Sequence, residues 1–267
     1  MTYALIDSGK GMKLEQFGDH LLVRPCSQAL WNQRRPAMWK EAAATFSRGE
    51  AWKGRPSSCR VLYHDLQFKI IPTEFGHVGL FPEHAMHWEW MAERLKTPSE
   101  VLNLFAYSGG ATLYLAKEGH ALCHLDAAKG MVDWAMENAR LNGLGKAPIR
   151  WIVDDAIKFL KREVKRGRSY DALLLDPPSF GRGSQGQVFK VERDLPLLLS
   201  LCRQVLKPNP AFILLTSHTP GLTPLLLEHL LYDAFPKLRV ESGEMIIPSS
   251  SRPLPSGSFA RGESHEE

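Results

Sequence analysis

The chain has 267 residues, 44% of them hydrophobic and 23% charged, with a formal net charge of +4, a length and composition that suit a main globular domain with an accessory one. No apolar run is long enough to span a bilayer, and residues 1–13 carry Asp7, Lys10 and Lys13 in place of the apolar core of a secretory signal. The four cysteines, Cys26, Cys59, Cys123 and Cys202, form no Cys-x-x-Cys pair, which argues against a structural zinc site and for free thiols in a reducing, cytoplasmic setting.

Residues 1–97 read as a small β-rich (α+β) domain. Short extended pieces, Leu21-Leu22-Val23, Phe68-Lys69-Ile70-Ile71 and Gly76-His77-Val78-Gly79-Leu80, alternate with turns, and one helix is predicted near Trp39–Phe46. Arg24, Arg34, Arg35, Lys40, Arg48, Lys53, Arg55 and Arg60 face only Glu41 and Glu50, with Trp31, Trp39 and Trp52 among them; Lys158 to Arg168 is a second basic stretch. Such patches suit a phosphate-rich partner whose bases can stack, and equally a solvated surface with its tryptophans packed inward. His84 to Leu95 has helical register through Trp90, Met91 and Arg94, and Thr97-Pro98-Ser99 breaks it at the expected domain boundary.

From Val101 strands alternate with helices. Strands are predicted at Val101–Phe105, Ala121–Leu125, Ile149–Val153, Asp171–Leu175 and Ala211–Thr216. Between them fall a helix at Gly110–Lys117, one striped by Ala128, Met131, Val132, Ala135 and Ala139, a basic one from Ala156, and one striped by Val191, Leu195, Leu198, Leu199 and Cys202. Leu222–Leu231 follows as a helix, and Leu238–Val240 with Met245–Ile247 as a closing hairpin. This order implies a Rossmann-like α/β domain, residues 98–260, built on a parallel sheet. Residues 261–267 read as a disordered tail.

Four stations follow four strands and should converge on one crevice. Phe105-Ala106-Tyr107-Ser108-Gly109-Gly110 is a strand-to-helix turn without the Gly-x-Gly-x-x-Gly spacing that seats a pyrophosphate, so it suits a ligand lacking phosphates. Asp126 can accept two ribose hydroxyls or cap a helix. Of Asp154-Asp155, Asp155 is assigned to an adenine amino group and Asp154 to capping. In Asp176-Pro177-Pro178-Ser179-Phe180 the prolines fix φ and remove donors. Asp176 and the Pro177 carbonyl can then grip an exocyclic amine while Phe180 stacks on its ring. Gly181-Arg182-Gly183-Ser184-Gln185-Gly186 reads as a mobile loop or a plain linker. Together the stations point to methyl transfer from S-adenosylmethionine.

With Val101-Leu102-Asn103-Leu104-Phe105-Ala106-Tyr107-Ser108-Gly109-Gly110, Asp126, Asp154-Asp155 and Asp176-Pro177-Pro178-Ser179-Phe180, the chain resembles the class I S-adenosylmethionine-dependent methyltransferases. Gly79-Leu80-Phe81-Pro82-Glu83-His84 and Leu254-Pro255-Ser256-Gly257-Ser258-Phe259 extend the likeness to the bacterial large-subunit (23S) rRNA methyltransferases. The resemblance implies a seven-stranded sheet with one antiparallel strand. It also implies cofactor contacts at Phe105, Tyr107, Ser108, Gly109 and Gly110, ribose binding by Asp126, an adenine contact by Asp155, and a methyl acceptor near the catalytic loop Asp176, Pro177 and Phe180. Many relatives carry an RNA-binding module of the PUA type, expected to be absent here.

Forming 5-methylcytosine needs a cysteine thiolate that adds to the ring. Thr216-Ser217-His218-Thr219 stands where some relatives carry that cysteine, and Cys123 and Cys202 read as core thiols, so a nitrogen acceptor is expected. His218 is a base, a substrate contact or a solvated loop histidine. Three further readings stay open. They are a small-molecule or protein acceptor, an RNA-binding protein with an inactive site, and, remotely, a nicotinamide oxidoreductase. No metal is expected.

Overall fold

The computed structural model describes residues 2–96, 98–182, 186 and 188–264. Its backbone divides into two compact units, residues 1–85 with 246–256, and residues 86–245 with 257–267. The break falls after Ala85 and not at Thr97. The helix before Thr97 packs into the larger unit, where Trp88 lies 5.3 Å, centroid to centroid, from Tyr114.

In the smaller unit, strands β1 (Tyr3–Gly9), β2 (Met12–Phe17) and β3 (His20–Pro25) form an antiparallel meander. A short helix α1 (Pro36–Trp39) follows, then β4 (Ala44–Thr45) and β5 (Lys53–Gly54), which complete the sheet. Strands β6 (Cys59–Tyr63) and β7 (Leu66–Ile70) pair as a hairpin, its turn set by left-handed His64 and Asp65. The helix expected at Trp39–Phe46 is therefore one turn ending at Trp39, with a strand at Ala44–Thr45. Gly76–Leu80 is not a strand either. The reason for the first lies in Asp7, whose carboxylate accepts from the backbone N–H groups of Arg34 and Arg35 and from Trp39 Nε1 at 2.8–2.9 Å. Those bonds fold residues 34–39 back onto β1.

Of the cations in the first basic stretch, Arg24 is buried, while Arg34, Arg35, Lys40, Arg48, Lys53, Arg55 and Arg60 are exposed. Arg24 pairs with buried Glu15 through Nε at 2.7 Å and Nη2 at 2.9 Å. Trp31 and Trp52 donate their ring N–H groups to the carbonyls of Ser8 and Thr73. All three tryptophans are half-buried, so the inward-packed reading describes them.

The first helix of the larger unit is α2 (Trp88–Arg94). The Rossmann-like order follows: β8 (Glu100–Leu104), α3 (Gly110–Lys117), β9 (Ala121–Asp126), α4 (Lys129–Leu141), β10 (Ile149–Val153), α5 (Ala156–Lys165) and β11 (Ala172–Leu175). A hairpin of β12 (Phe180–Arg182) and β13 (Val188–Lys190) precedes α6 (Val191–Val205), β14 (Phe212–Ser217), α7 (Pro224–Ala234), β15 (Arg239–Ile247) and β16 (Leu254–Glu263). The sheet order is β10-β9-β8-β11-β14-β16-β15. The first five strands are parallel, and β16 runs antiparallel to β14. Parallel strands buried on both faces need continuous apolar runs, which Ala172–Leu175 and Phe212–Leu215 supply with every residue buried.

Two expectations at the end of the chain need correction. The hairpin predicted at Leu238–Ile247 is one strand, β15. Gly243 looks like a turn residue, yet it is glycine because a Cβ there would come within 2.9 Å of the Phe259 ring. Residues 261–263 do not belong to the expected tail, since β16 runs through Glu263 and Gly262 pairs with Ile213; His265–Glu267 lie outside the described residues.

A buried carboxylate fastens α5 to the sheet. Glu163 accepts from Tyr170 Oη at 2.6 Å, Arg150 Nη1 at 3.1 Å and Arg166 Nη1 at 3.0 Å. Burial works against its charge, but these donors outweigh it and hold its pKa below the usual glutamate value. A folded-state pKa depressed in this way gives stability that is present above the unfolded value and lost as pH falls through the folded one. Glu163→Gln should therefore lower stability by about 2 kcal/mol at neutral pH. The gap from the parent should close as pH drops below about 4 in thermal melts; a gap that persists at low pH would contradict the charged role.

Candidate active site

Strand register carries the stations to one rim. Leu104 pairs with Leu125, Val153 with Asp126, and Leu175 with both Leu104 and Leu215. The residues that follow these partners therefore emerge at one level: Phe105, Asp126, Asp154-Asp155, Asp176 and Thr216. Five adjacent strands at ~4.8 Å spacing make a ledge about 19 Å long. The strand order reverses between β8 and β11, where ligands of open α/β sheets bind. All ten sequence-predicted residues (Phe105, Tyr107, Ser108, Gly109, Gly110, Asp126, Asp155, Asp176, Pro177 and Phe180) lie on this rim.

The loop after β8 is bent into an unusual path. Phe105 (φ 57°) and Tyr107 (φ 50°) have left-handed backbone, as does Gly109 (φ 93°), a conformation uncommon for bulky residues and frequent at ligand sites. Asp126 fixes it: Oδ2 accepts the Tyr107 N–H at 3.0 Å, and Oδ1 accepts the Ala128 N–H at 2.9 Å. Asn138 Nδ2 donates to the Ser108 carbonyl at 3.0 Å. At Gly109 a Cβ would crowd Ala135 Cβ at 3.1 Å, and at Gly110 it would crowd the Trp88 ring at 3.2 Å, so both glycines let α3 start close against its neighbours. Below the loop, Asn103 Nδ2 donates to Thr112 Oγ1 at 3.0 Å, and Thr112 meets His124 Nδ1 at 2.9 Å. Burial pushes the His124 pKa down to about 3 and keeps the ring neutral.

Asp126 is not the cap of α4, whose N-cap is Ala128. Its burial pushes its pKa up, against the backbone hydrogen bonds that lower it. A carboxylate so desolvated gains from more donors, and each oxygen has further lone-pair capacity. Paired hydroxyls meet that need, so the residues present fit the ribose of an adenosyl ligand. On β10 the capping roles are exchanged. Asp155 is the N-cap of α5, accepting from Lys158 N at 2.9 Å, while Asp154 accepts from Asp155 N and pairs with Arg162. Capping goes to the residue whose extended backbone (ψ 131°) directly precedes the helix. It engages Oδ1 of Asp155 and leaves Oδ2 for a ligand.

At β11, Thr216 Oγ1 lies 2.8 Å from Asp176 Oδ1 and His218 Nδ1 3.6 Å from it. Ser179 and Thr219 hydroxyls meet at 2.7 Å. Pro177 is buried, while Phe180 is 50% exposed, an aromatic face left on the rim. The expected mobile loop falls largely on Gly183, Ser184 and Gln185, outside the described residues. Sequence reading named Thr216 and Ser179 within longer segments without giving either a role, and missed Asn138. Asn138 left a trace as a polar side chain in register with the apolar stripe of α4. Burial raises the thiol pKa of Cys123 to about 11 and that of Cys202 further, so neither is a ready nucleophile. No described helix is long and apolar enough to cross a membrane.

Comparison with known proteins agrees with this geometry. Residues 32–241 match the model of the S-adenosylmethionine-dependent methyltransferase family. A solved SAM-dependent methyltransferase from Agrobacterium tumefaciens is 38% identical with a TM-score of 0.93, covering 99% of this chain and 91% of that one. A methyltransferase complexed with SAH shares the fold at 17% identity, with a TM-score of 0.77 over 98% of this chain and 75% of its own. Among curated relatives, the ribosomal RNA large subunit methyltransferase K/L of Pseudoalteromonas atlantica is 33% identical over 151 residues, 56% of this chain and 21% of that protein. Its counterpart from Methylococcus capsulatus is 33% identical over 153 residues, 57% of this chain and 21% of its own length. The chain thus matches about a fifth of the length of these curated relatives. With a shared rim, a loop suited to an adenosyl group and a family match over most of its length, the chain belongs to the S-adenosylmethionine-dependent methyltransferases.

Proposed function

We propose that the chain methylates a base of ribosomal RNA at nitrogen, taking the methyl group from S-adenosylmethionine. One observation carries the acceptor side of the reading. Asp176, Pro177 and the exposed ring of Phe180 stand on the rim next to the loop held by Asp126, where a flat amine-bearing ring would meet a methyl donor. The names of the curated relatives support RNA as the source of that ring, and a cytoplasmic site of action goes with it.

Within this reading, Asp126 binds the ribose hydroxyls and Oδ2 of Asp155 accepts from the adenine amino group. Phe105, Tyr107, Ser108, Gly109 and Gly110 form the wall against which the rest of the cofactor lies. Bound S-adenosylmethionine supplies an electrophilic methyl group on its sulfonium. Asp176 and the Pro177 carbonyl accept the two hydrogens of the exocyclic amine, which turns its lone pair out of the ring plane and toward that methyl. Phe180 stacks on the base and fixes its plane. Thr216 orients Asp176 through Oγ1, so the carboxylate does not have to be ordered when substrate arrives. His218, beside Asp176, can take up the proton released from the amine.

Three measurements test these roles. Asp126→Ala should weaken S-adenosylhomocysteine by about 2 kcal/mol, roughly thirtyfold, in isothermal titration; unchanged affinity would remove the ribose assignment. Asp176→Ala should lower methyl transfer to deproteinised ribosomal RNA on the order of 100-fold while leaving S-adenosylhomocysteine affinity in place. Loss of both together would place Asp176 in cofactor binding instead. RNA containing 5-fluorocytidine should give no denaturant-stable adduct with the protein, as a nitrogen acceptor requires; an adduct would show a cysteine at work. Nucleoside mass spectrometry of RNA from cells with and without the protein identifies the product, and no difference between the two would favour a small-molecule or protein acceptor.

A further inference from the structure

The second basic stretch lies on α5, and its side chains divide sharply. Ala156, Phe159, Leu160 and Glu163 are buried, and Glu163 is the only acid in the helix. Lys161, Arg162, Lys165, Arg166 and, just beyond the helix, Arg168 are exposed, with Lys158 half-buried in the first turn. The outer face of α5 therefore carries positive charge alone. Arg162, Arg166 and Arg168 reach Asp154, Glu163 and Glu100, while Lys161 and Lys165 have no ion-pair partner among the described residues.

This arrangement works against the helix that carries it. Lys161/Lys165 and Arg162/Arg166 are like charges four apart, a spacing that disfavours a helix. A row of phosphates would neutralise this repulsion and release counterions on contact. An anionic membrane would supply charge as well, but surface helices that hold membranes insert an apolar face. Here Phe159 and Leu160, with exposures of 1% and 0%, are committed to the core. The row is also well placed. It starts at Asp155 on the cofactor rim and runs ~15 Å away from it, long enough to follow a strand whose base sits at the rim.

We propose that the outer face of α5, centred on Lys161 and Lys165, docks the phosphate backbone of the RNA substrate and guides it to the rim. The proposal rests on the RNA reading above and adds where that partner lies. Its contacts are to phosphate, so they are independent of base sequence.

The test is binding of a fluorescent poly(U) strand across a salt series by the full chain and by the double variant Lys161→Gln/Lys165→Gln. S-adenosylhomocysteine titration serves as the control for an intact fold. The variant should bind roughly tenfold more weakly, and its log–log salt dependence should be shallower by about 1.4, as expected for two lost phosphate contacts on a single strand. Its cofactor affinity should be unchanged, and Lys161→Arg/Lys165→Arg should restore the slope. Equal affinity and slope for parent and double Gln variant would overturn the α5 assignment while leaving the RNA reading standing. A parent chain without salt-dependent poly(U) binding would overturn both. Binding to phosphatidylserine vesicles but not to poly(U) would assign the face to a membrane and end the proposal.

Discussion

The hydrogen bond from the Tyr107 N–H to Asp126 joins the end of one strand to the end of its neighbour, and the site is built around it. Left-handed backbone at Phe105 and Tyr107 costs about 1–2 kcal/mol each. A hydrogen bond to a charged acceptor returns about 1.5–3 kcal/mol, and the loop's other ties, Ala106 N–H to the Leu125 carbonyl and Asn138 to the Ser108 carbonyl, add to it. The strained path is thus held by neighbours on β9 and α4 and does not wait for a ligand. Burial still pushes the pKa of the same carboxylate up against these bonds.

Two strand ends of the rim are braced in the same manner. Thr216 on β14 braces Asp176 on β11 as Asp126 on β9 braces the loop after β8. In each case a side chain from the next parallel strand supports the station, which the in-register pairing of four strand ends makes possible. Arg24 and the tryptophans near it are engaged inside the small unit, whereas α5 keeps its only acid buried and its cations outward. Both stretches keep most of their cations exposed, and α5 differs in carrying them along one helix.

Much of this was legible in the residues alone. Period and apolar runs placed Gly110–Lys117 and Ile149–Val153 at their observed bounds, because buried parallel strands and amphipathic helices leave periodic traces. Each of the four stations follows a strand because a parallel sheet ends its strands at loops of one rim. Errors fell where a distant partner overrides local pattern. Asp7 shortens the helix at Trp39, Phe259 makes a strand residue of Gly243, and the N-cap falls on Asp155 through a single backbone angle.

The sequence by itself determined the alternating order of strands and helices, the acidic and glycine-rich character of the strand ends, and the likeness to S-adenosylmethionine-dependent methyltransferases, since all three reside in local pattern. Only the tertiary structure decided that Thr216 braces Asp176, that Asp126 bends the loop at Tyr107, and that Arg24 alone of the cations in its stretch is buried against Glu15. Those are contacts between residues separated along the chain, and no periodicity records which side chains meet once the strands are laid in register.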